Sequence, residues 1–477
     1  MSNTIMSERK DKIDFFNHYI QNHMSFTETN AQKMDIFEGD LLKYVVSILK
    51  STLSENYFNA IKDRIIPINV LTRVIDKMSK VYVDSPQRST GNDKGDQWLE
   101  QVEADSSIDS FLGLADSYSH LFKGYLLQPY VDDRKIKVRA IPYDRFLPIA
   151  GDSTKPEKMD GLITFMGEVD LGNMNKQKLY YYYSDSEFIP FTADGNIYSK
   201  ALEGNDGVNT YGFIPYVYGN RSMTSVIPKQ DTDILQIAKM IPVFLSDLGG
   251  AVMFQCFSIL YGIDIKADNL TMSPNAFWSL KSDSTSDKTP SVGTIKPEAD
   301  IDKVKNFIKD VFVLWLETKG VRVGSIGSTE GASNVSGISK IIDEMDVFEI
   351  KKNQIQFFKK EERDLWDKMV KLSNIWSKSD EIDYDIIPDD TIVTTEFDEP
   401  RPETPRSTEV DTITKEVNGG FLDKFTAIAK LYPDLTDEQI QERMENIKQE
   451  KLSNMESFRI ESTDASAESD DQDPKGL

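Results

Sequence analysis

The sequence predicts an α+β chain in which helices flank an antiparallel sheet. Three observations carry this. Residues 35–83 and 97–122 space their apolar side chains as helices do; residues 124–218 switch to short runs of Tyr, Val, Ile and Phe between turn residues; and helical spacing returns at 231 and dominates the rest of the chain. Composition narrows the class. Of 477 residues, 79 are Asp or Glu and 55 are Lys or Arg, and the net charge of −24 opposes any protein that grips nucleic acid by neutralising phosphates. A single cysteine, Cys256, excludes an intrachain disulfide framework and any multi-thiolate metal site. The start, MSNTIMSERKDKIDFF, lacks the apolar core of a secretory signal, so the expectation is a reduced, cytosolic, acidic protein with length for about three domains.

Taken in order, Asn69 can cap a helix carrying Val70, Val74, Met78 and Val81, with Ile66-Pro67 as the break before it and Asp84-Ser85-Pro86 after it. Residues 89–96 (STGNDKGD) read as a polar loop. From Gly124 to Tyr218 the runs YLLQPYV, KIKVRAI, GLITFMGEV, KLYYYYS and EFIPF form a meander, turning at Asp132-Asp133, Gly151-Asp152, Asp194-Gly195 and Asn205-Asp206-Gly207.

Helix resumes over 231–248, with Asp231 or Asp233 as its cap. Met240–Tyr261 is long enough to span a bilayer, but Asp247, Pro242, Gly249, Gly250 and Gln255 oppose that, and no Lys/Arg cluster flanks it. A buried helix running into a strand (257–265) is the preferred reading. The segment SLKSDSTSDKTPSVG that follows has a mobile-loop composition. Asp300 then opens an amphipathic helix with Ile301, Val304, Ile308, Val311 and Trp315 on one side, ended by Gly320. Residues 321–337 hold four Gly and four Ser and no apolar period.

The longest helical pattern comes next, 338–377, with Ile338, Ile341, Met345, Phe348, Ile355, Trp366, Met369 and Trp376 near one side. At 1.5 Å per residue it reaches ~60 Å, a length suited to a strut in an assembly. A strand run (383–397) leads to the extended hinge Pro400-Arg-Pro-Glu-Thr-Pro405. Short helices follow, one ending at Asn418-Gly419-Gly420, one at Pro433, and one starting at the capping box Thr436–Gln439. The tail ESTDASAESDDQDPKGL is acidic, without a core-forming pattern, and reads as disordered.

Motifs for chemistry are weak throughout. The Gly-rich run 320–337 lacks Gly-Lys-Ser/Thr and follows a helix, where a phosphate loop follows a strand, so it reads as a flexible linker. His18, His23 and His120 are isolated, Cys256 sits in an apolar run, and the acidic pairs Asp132/Asp133, Glu361/Glu362 and Asp389/Asp390 read as solvated faces. Lys303, Lys305 and Lys309, with Lys319 beyond, form either an ordinary solvated face or a weakly basic stripe beside a polyanion. A site residue set for catalysis, cofactor or metal is not predicted.

The order of parts resembles the portal (head-to-tail connector) proteins of tailed bacteriophages. INVLTRVIDKMSKVYVDSP (68–86) is similar to the helix before the wing sheet, and IPYDRFLPI (141–149) and GFIPYVYGN (212–220) to wing strands. SNVSGISKIIDEMDVFEIKKNQIQFFKK (333–360) is similar to the junction of tunnel loop and long wing helix, and residues 397–440 to the exit into the crown. The resemblance spans about residues 35–452. It implies an α+β portal-type fold with an N-terminal region and wing (1–228), a first stem helix (229–257), a small α/β clip (258–299), a second stem helix (300–320), a tunnel loop (321–337), a long wing helix with return strand (338–400), a helical crown (401–455) and a disordered acidic tail (456–477).

By the same resemblance the chain would form a dodecameric ring at one capsid vertex of the virion, without enzymatic activity, cofactor or membrane. Its partners would be the terminase large subunit, the major capsid protein and scaffold, head-tail adaptor and tail proteins, and double-stranded DNA passing through non-specifically for packaging, retention and ejection. Tunnel-loop residues Arg322, Gly324, Gly327, Ser328, Glu330, Gly331, Ser333 and Asn334 would meet the DNA, and Lys305, Lys309 and Lys319 would face the channel. Two other readings are a different structural component of a phage particle (a connector or minor capsid protein) and an unrecognised enzyme.

Overall fold

Two antiparallel sheets form where the sequence predicts one meander. The computed structural model describes residues 2–151, 154–171, 176–202, 206–222, 224–256, 259–263, 291–295, 300–321, 337–398, 406–432, 435–436 and 438–449. The chain divides into a first unit, 1–332 with 343–400, and a second, 333–342 with 401–477. Helices and antiparallel sheets together make it an α+β protein.

The first unit opens on helices α1 (Ser2–Asn22), α2 (Met24–Phe37), α3 (Leu42–Thr52), α4 (Glu55–Ile61) and α5 (Val70–Met78). As predicted, Asn69 caps α5, its Oδ1 accepting from the backbone N–H groups of Leu71 and Thr72. Strand β1 (Gln87–Ser89) and helix α6 (Asp93–Ser106) replace the expected polar loop, because Asn92 Oδ1 accepts from Gly95 N and starts the helix four residues early. Ser107, at φ 51°, separates α6 from α7 (Ile108–Phe122).

Strands β2 (Gly124–Asp132) and β3 (Lys135–Ile141) make a hairpin whose two-residue turn, Asp133-Arg134, has φ of 50° and 57°, the left-handed pair that suits strand twist. Strands β4 (Phe146–Ile149), β5 (Gly161–Asp170), β6 (Lys176–Tyr183) and β7 (Phe188–Thr192) then build a separate four-stranded sheet in sequence order. Strand β8 (Val217–Asn220) leaves that meander and pairs with β2, placing Leu126 opposite Tyr218. Helix α1, for which the sequence offers no clear period, lies on the four-stranded sheet: Ile13 and Phe16 are buried there, and the Phe16 ring stacks on Tyr182 at 4.2 Å.

Helix α8 (Thr232–Cys256) runs through Pro242 without interruption, and strand β9 (Ile259–Ile263) pairs antiparallel with β10 (Ser291–Ile295) before α9 (Ile301–Thr318). The predicted helix-then-strand order over 240–261 is therefore what the chain adopts, and α8 packs against α2, α3, α5 and α9. By length and composition alone this helix could cross a membrane. Helix α10 (Gly337–Lys378) is 42 residues long, and β11 (Thr394–Glu396) pairs with β1 across 300 residues of sequence.

The predicted strand at 383–397 shrinks to β11. The backbone of Ile387 bonds to a side chain instead of a strand: Asn374 Nδ2 donates to its carbonyl at 2.7 Å and its N–H donates to Asn374 Oδ1 at 3.1 Å. One amide thus satisfies both groups that a neighbouring strand would use.

Helix α10 carries the core. Phe358, Leu365, Trp366, Met369 and Val370 are fully buried, and Trp366 meets Trp98 of α6 edge-on. The pair Glu361/Glu362, expected on a solvated face, is buried too. Glu362 is the counter-ion of Arg88, whose Nε donates to it at 2.8 Å. Arg88 also pairs with Glu103 and Asp109.

Glu361 forms no such pair among the described residues, and burial pushes its carboxyl up to about 8. Asp116, buried on α7, is pushed up to about 7 by the same cause against bonds from Val81 N and Gln354. Between their unfolded values near 4 and these folded values, the native state holds protons that the unfolded chain has lost, so stability falls as pH rises through the window. Glu361→Gln is expected to change stability by less than about 1 kcal/mol at pH 5 and to raise it by about 2–4 kcal/mol above pH 8, since every tenfold gain in proton affinity on folding is worth ~1.4 kcal/mol. Urea unfolding of both proteins across pH 5–9 measures this; parallel curves would contradict it.

The second unit contains α11 (Arg406–Asn418), α12 (Lys424–Leu431) and α13 (438–449). Asp423 caps α12, and the predicted capping box forms reciprocally: Thr436 N donates to Gln439 Oε1 at 3.0 Å and Gln439 N to Thr436 Oγ1 at 3.4 Å. Among its described residues Ile413, Ala427 and Ile440 are the buried apolar ones. The acidic tail lies outside the described residues.

Candidate functional site

The segment from 232 to 318 is an out-and-back excursion. Helices α8 and α9 run antiparallel, as their contacts show: Asp233 meets Trp315, and Phe244 meets Phe307. Between them the chain passes through the β9–β10 pair, so it returns at Lys319 to the level where it left at Asp231. Local chemistry sets each end. Asp300 caps α9 by accepting from Lys303 N at 3.1 Å, and Gly320, at φ 70°, terminates it. Inside α8, Pro242 offers no N–H; the Ser246 hydroxyl donates to the Pro242 carbonyl at 2.7 Å and accepts from Ile66 N at 3.1 Å, tying the helix to the segment before α5.

Helix α9 has two apolar sides. Ile308, Trp315 and Leu316 are buried, whereas Val304, Phe307 and Leu314 are 42%, 57% and 62% exposed. The predicted single stripe put Val304 with Ile308 and Trp315; in the fold it belongs to the outer side. Three- and four-residue spacing joins Val304, Phe307, Val311 and Leu314 along that face.

Of the three lysines expected to face a channel, Lys305 and Lys309 are exposed on α9 and have no ion-pair partner among the described residues. Lys319 does not share their setting. Its ammonium lies 3.1 Å from Asp231 and 2.9 Å from Asp233. Lys303 pairs with its own cap residue, Asp300, at 2.7 Å. Arg322, Gly324, Gly327, Ser328, Glu330, Gly331, Ser333 and Asn334 lie outside the described residues.

The base of the helix pair is a cluster that the sequence does not reveal. Asp231, expected as a helix cap, takes Lys123 at 2.6 Å as well as Lys319. Burial raises the Asp231 carboxyl, but these two ammonium donors outweigh it and hold it below the usual carboxylate range. Lys33 of α2 is fully buried beside them, donating to Gln230 Oε1 at 2.7 Å and Leu121 O at 3.2 Å; burial lowers it to about 8, with Asp231 pulling the other way. Next to this, His120 is buried, contacts Arg221 through Nδ1 at 3.2 Å, and is lowered to about 3 by burial and the neighbouring guanidinium, so it is neutral. Local sequence carries no signal for this cluster because its members lie up to 286 positions apart, from Lys33 to Lys319.

No protein-family model matches the sequence, and a search of curated proteins finds no similar one. Among the described residues no group of three or more His, Cys, Asp or Glu is placed to hold a metal ion.

Proposed function

We propose that this chain is the subunit of a portal-type ring, a conduit through which double-stranded DNA enters and leaves a capsid. The single observation that carries the reading is the out-and-back excursion: α8, the β9–β10 pair and α9 form a helical shaft with a small strand element at its turn, inserted between the sheets and the long α10. Stem, clip and return stem would map onto these in order. The β9–β10 end would dock the terminase motor, and other faces would meet capsid, scaffold and adaptor proteins.

The charge supports the same role. A conduit must let its cargo slide, and each lysine–phosphate contact adds salt-dependent affinity, so a net charge of −24 suits passage better than a basic bore would. Lys305 and Lys309 are exposed, without an ion-pair partner among the described residues, and would soften repulsion at a few points of the shaft; Lys319, held by Asp231 and Asp233, would contribute little. Negative-stain micrographs of the purified protein test the reading. The expected result is a turbine-shaped ring with a central hole; monomers at all concentrations, or closed shells, would overturn it.

A further inference from the structure

A cavity of about 680 Å³ opens at the base of the helix pair, bounded by α5, α7, the 221–229 segment and the adjoining ends of α8 and α9. Four cations line it, Lys123, Arg221, Lys229 and Lys319, against one lining carboxylate, Asp231. With Asp233 just beyond, two carboxylates balance Lys123 and Lys319. Arg221 and Lys229 have no carboxylate at ion-pair distance among the described residues. The one hydrogen-bond contact described for the Arg221 guanidinium is His120 Nδ1, a neutral ring that offsets no charge. Asp116 lies behind that ring, 3.7 Å from it, and is bonded to Val81 N and Gln354. Buried Lys33 adds a third positive group nearby.

Hydroxyls complete the lining. Ser222, Thr224 and Ser225 follow Arg221 along the same wall, and Ser222 Oγ lies 3.3 Å from Thr224 Oγ1. A guanidinium fork, a free ammonium and hydroxyl donors around one space match a tetrahedral oxyanion with several acceptor oxygens and about two negative charges. Chloride has no oxygens to engage the fork, and a carboxylate brings a single charge against two surplus cations. We infer that this cavity is a phosphate-binding site, with Arg221 and Lys229 as its principal ligands. The volume exceeds one phosphate, so the group can be free or carried on a larger body. The inference stands independently of ring formation.

Calorimetric titration of the full-length protein with inorganic phosphate, in a chloride buffer of matched ionic strength, tests it. The expected result is saturable binding at one site per chain. Lys229→Gln, which removes an exposed ammonium with no ion-pair partner among the described residues, is expected to weaken binding about tenfold, the worth of one charge-assisted hydrogen bond. Arg221→Gln is expected to weaken it at least as much; should that variant fold poorly, Lys229→Gln alone decides. A short DNA duplex that competes with phosphate identifies the backbone phosphodiester as the source, and one that does not identifies a soluble phosphate compound. Absence of saturable binding, or Lys229→Gln binding like the parent, overturns the inference.

Discussion

Arg88→Ala is expected to cost about 3–5 kcal/mol of folding stability, the range for leaving a buried charge without its partner. Glu362 is fully buried and accepts five hydrogen bonds: from Arg88 Nε at 2.8 Å and Nη2 at 3.0 Å, Tyr82 Oη at 2.9 Å, Trp366 Nε1 at 3.1 Å and Thr395 Oγ1 at 2.9 Å. Those donors come from the loop after α5, from β1, from α10 itself and from β11, so one carboxylate pins elements that share no local sequence. Removing the guanidinium also strips Glu103 and Asp109 of their partner. The urea midpoint should shift with little change in slope. Arg88→Met combined with Glu362→Gln should cost less than the sum of the two single changes, because the second removes the charge the first orphans. A loss below about 1 kcal/mol for Arg88→Ala would mean that water reaches Glu362, and the pin would be a surface pair.

The same residues explain what the sequence discloses and what it withholds. Features set within one helical turn were readable: the caps at Asn69 and Asp300, the left-handed stop at Gly320 and the reciprocal box at Thr436 and Gln439 all form as their residue types demand. Pairing over distance was not. Nothing near Val217 says that it pairs with Leu127 while β4 to β7, which lie between them in sequence, fold into another sheet. Nor does Glu362, at a position that local pattern assigns to solvent, signal that Arg88, 274 residues earlier, will meet it in the core. The candidate site divides along the same line. The two helices and the exposed Lys305 and Lys309 follow from periodicity, whereas the fate of Lys319 depends on Asp231 and Asp233, which local reading treats as caps. The apolar side of α9 was misjudged at Val304 because two stripes, one inward and one outward, lie close together around the same helix and single-period counting merges them.

That outward stripe gives the second large effect. If the proposed ring forms, Phe307→Asp and Leu314→Asp are each expected to abolish its assembly while leaving the subunit folded. Val304, Phe307 and Leu314 are the exposed apolar side chains of α9 among the described residues, Phe307 at the edge where its ring also meets Phe244 of α8, and exposed apolar side chains grouped in this way are unusual on a chain that works alone. In the proposed ring, the shaft of one copy would lie beside the shaft of the next, and this face would be an apolar surface for the contact. An aspartate there would place a charge in every subunit interface of that ring at once, so the cost would be repeated around it. Within the subunit Leu314 already faces water, so Leu314→Asp should change stability by no more than about 0.5 kcal/mol, whereas Phe307→Asp also loses the ring contact with Phe244 and should cost about 1 kcal/mol. Light scattering would then report subunit mass for both variants, with circular dichroism matching the parent in both and melting matching it in Leu314→Asp. Lys309→Asp, on the same helix but off the stripe, is the control and should assemble as the parent does. Should Leu314→Asp form rings of parental size, the neighbouring copy makes its contact elsewhere and α9 faces something other than a second shaft.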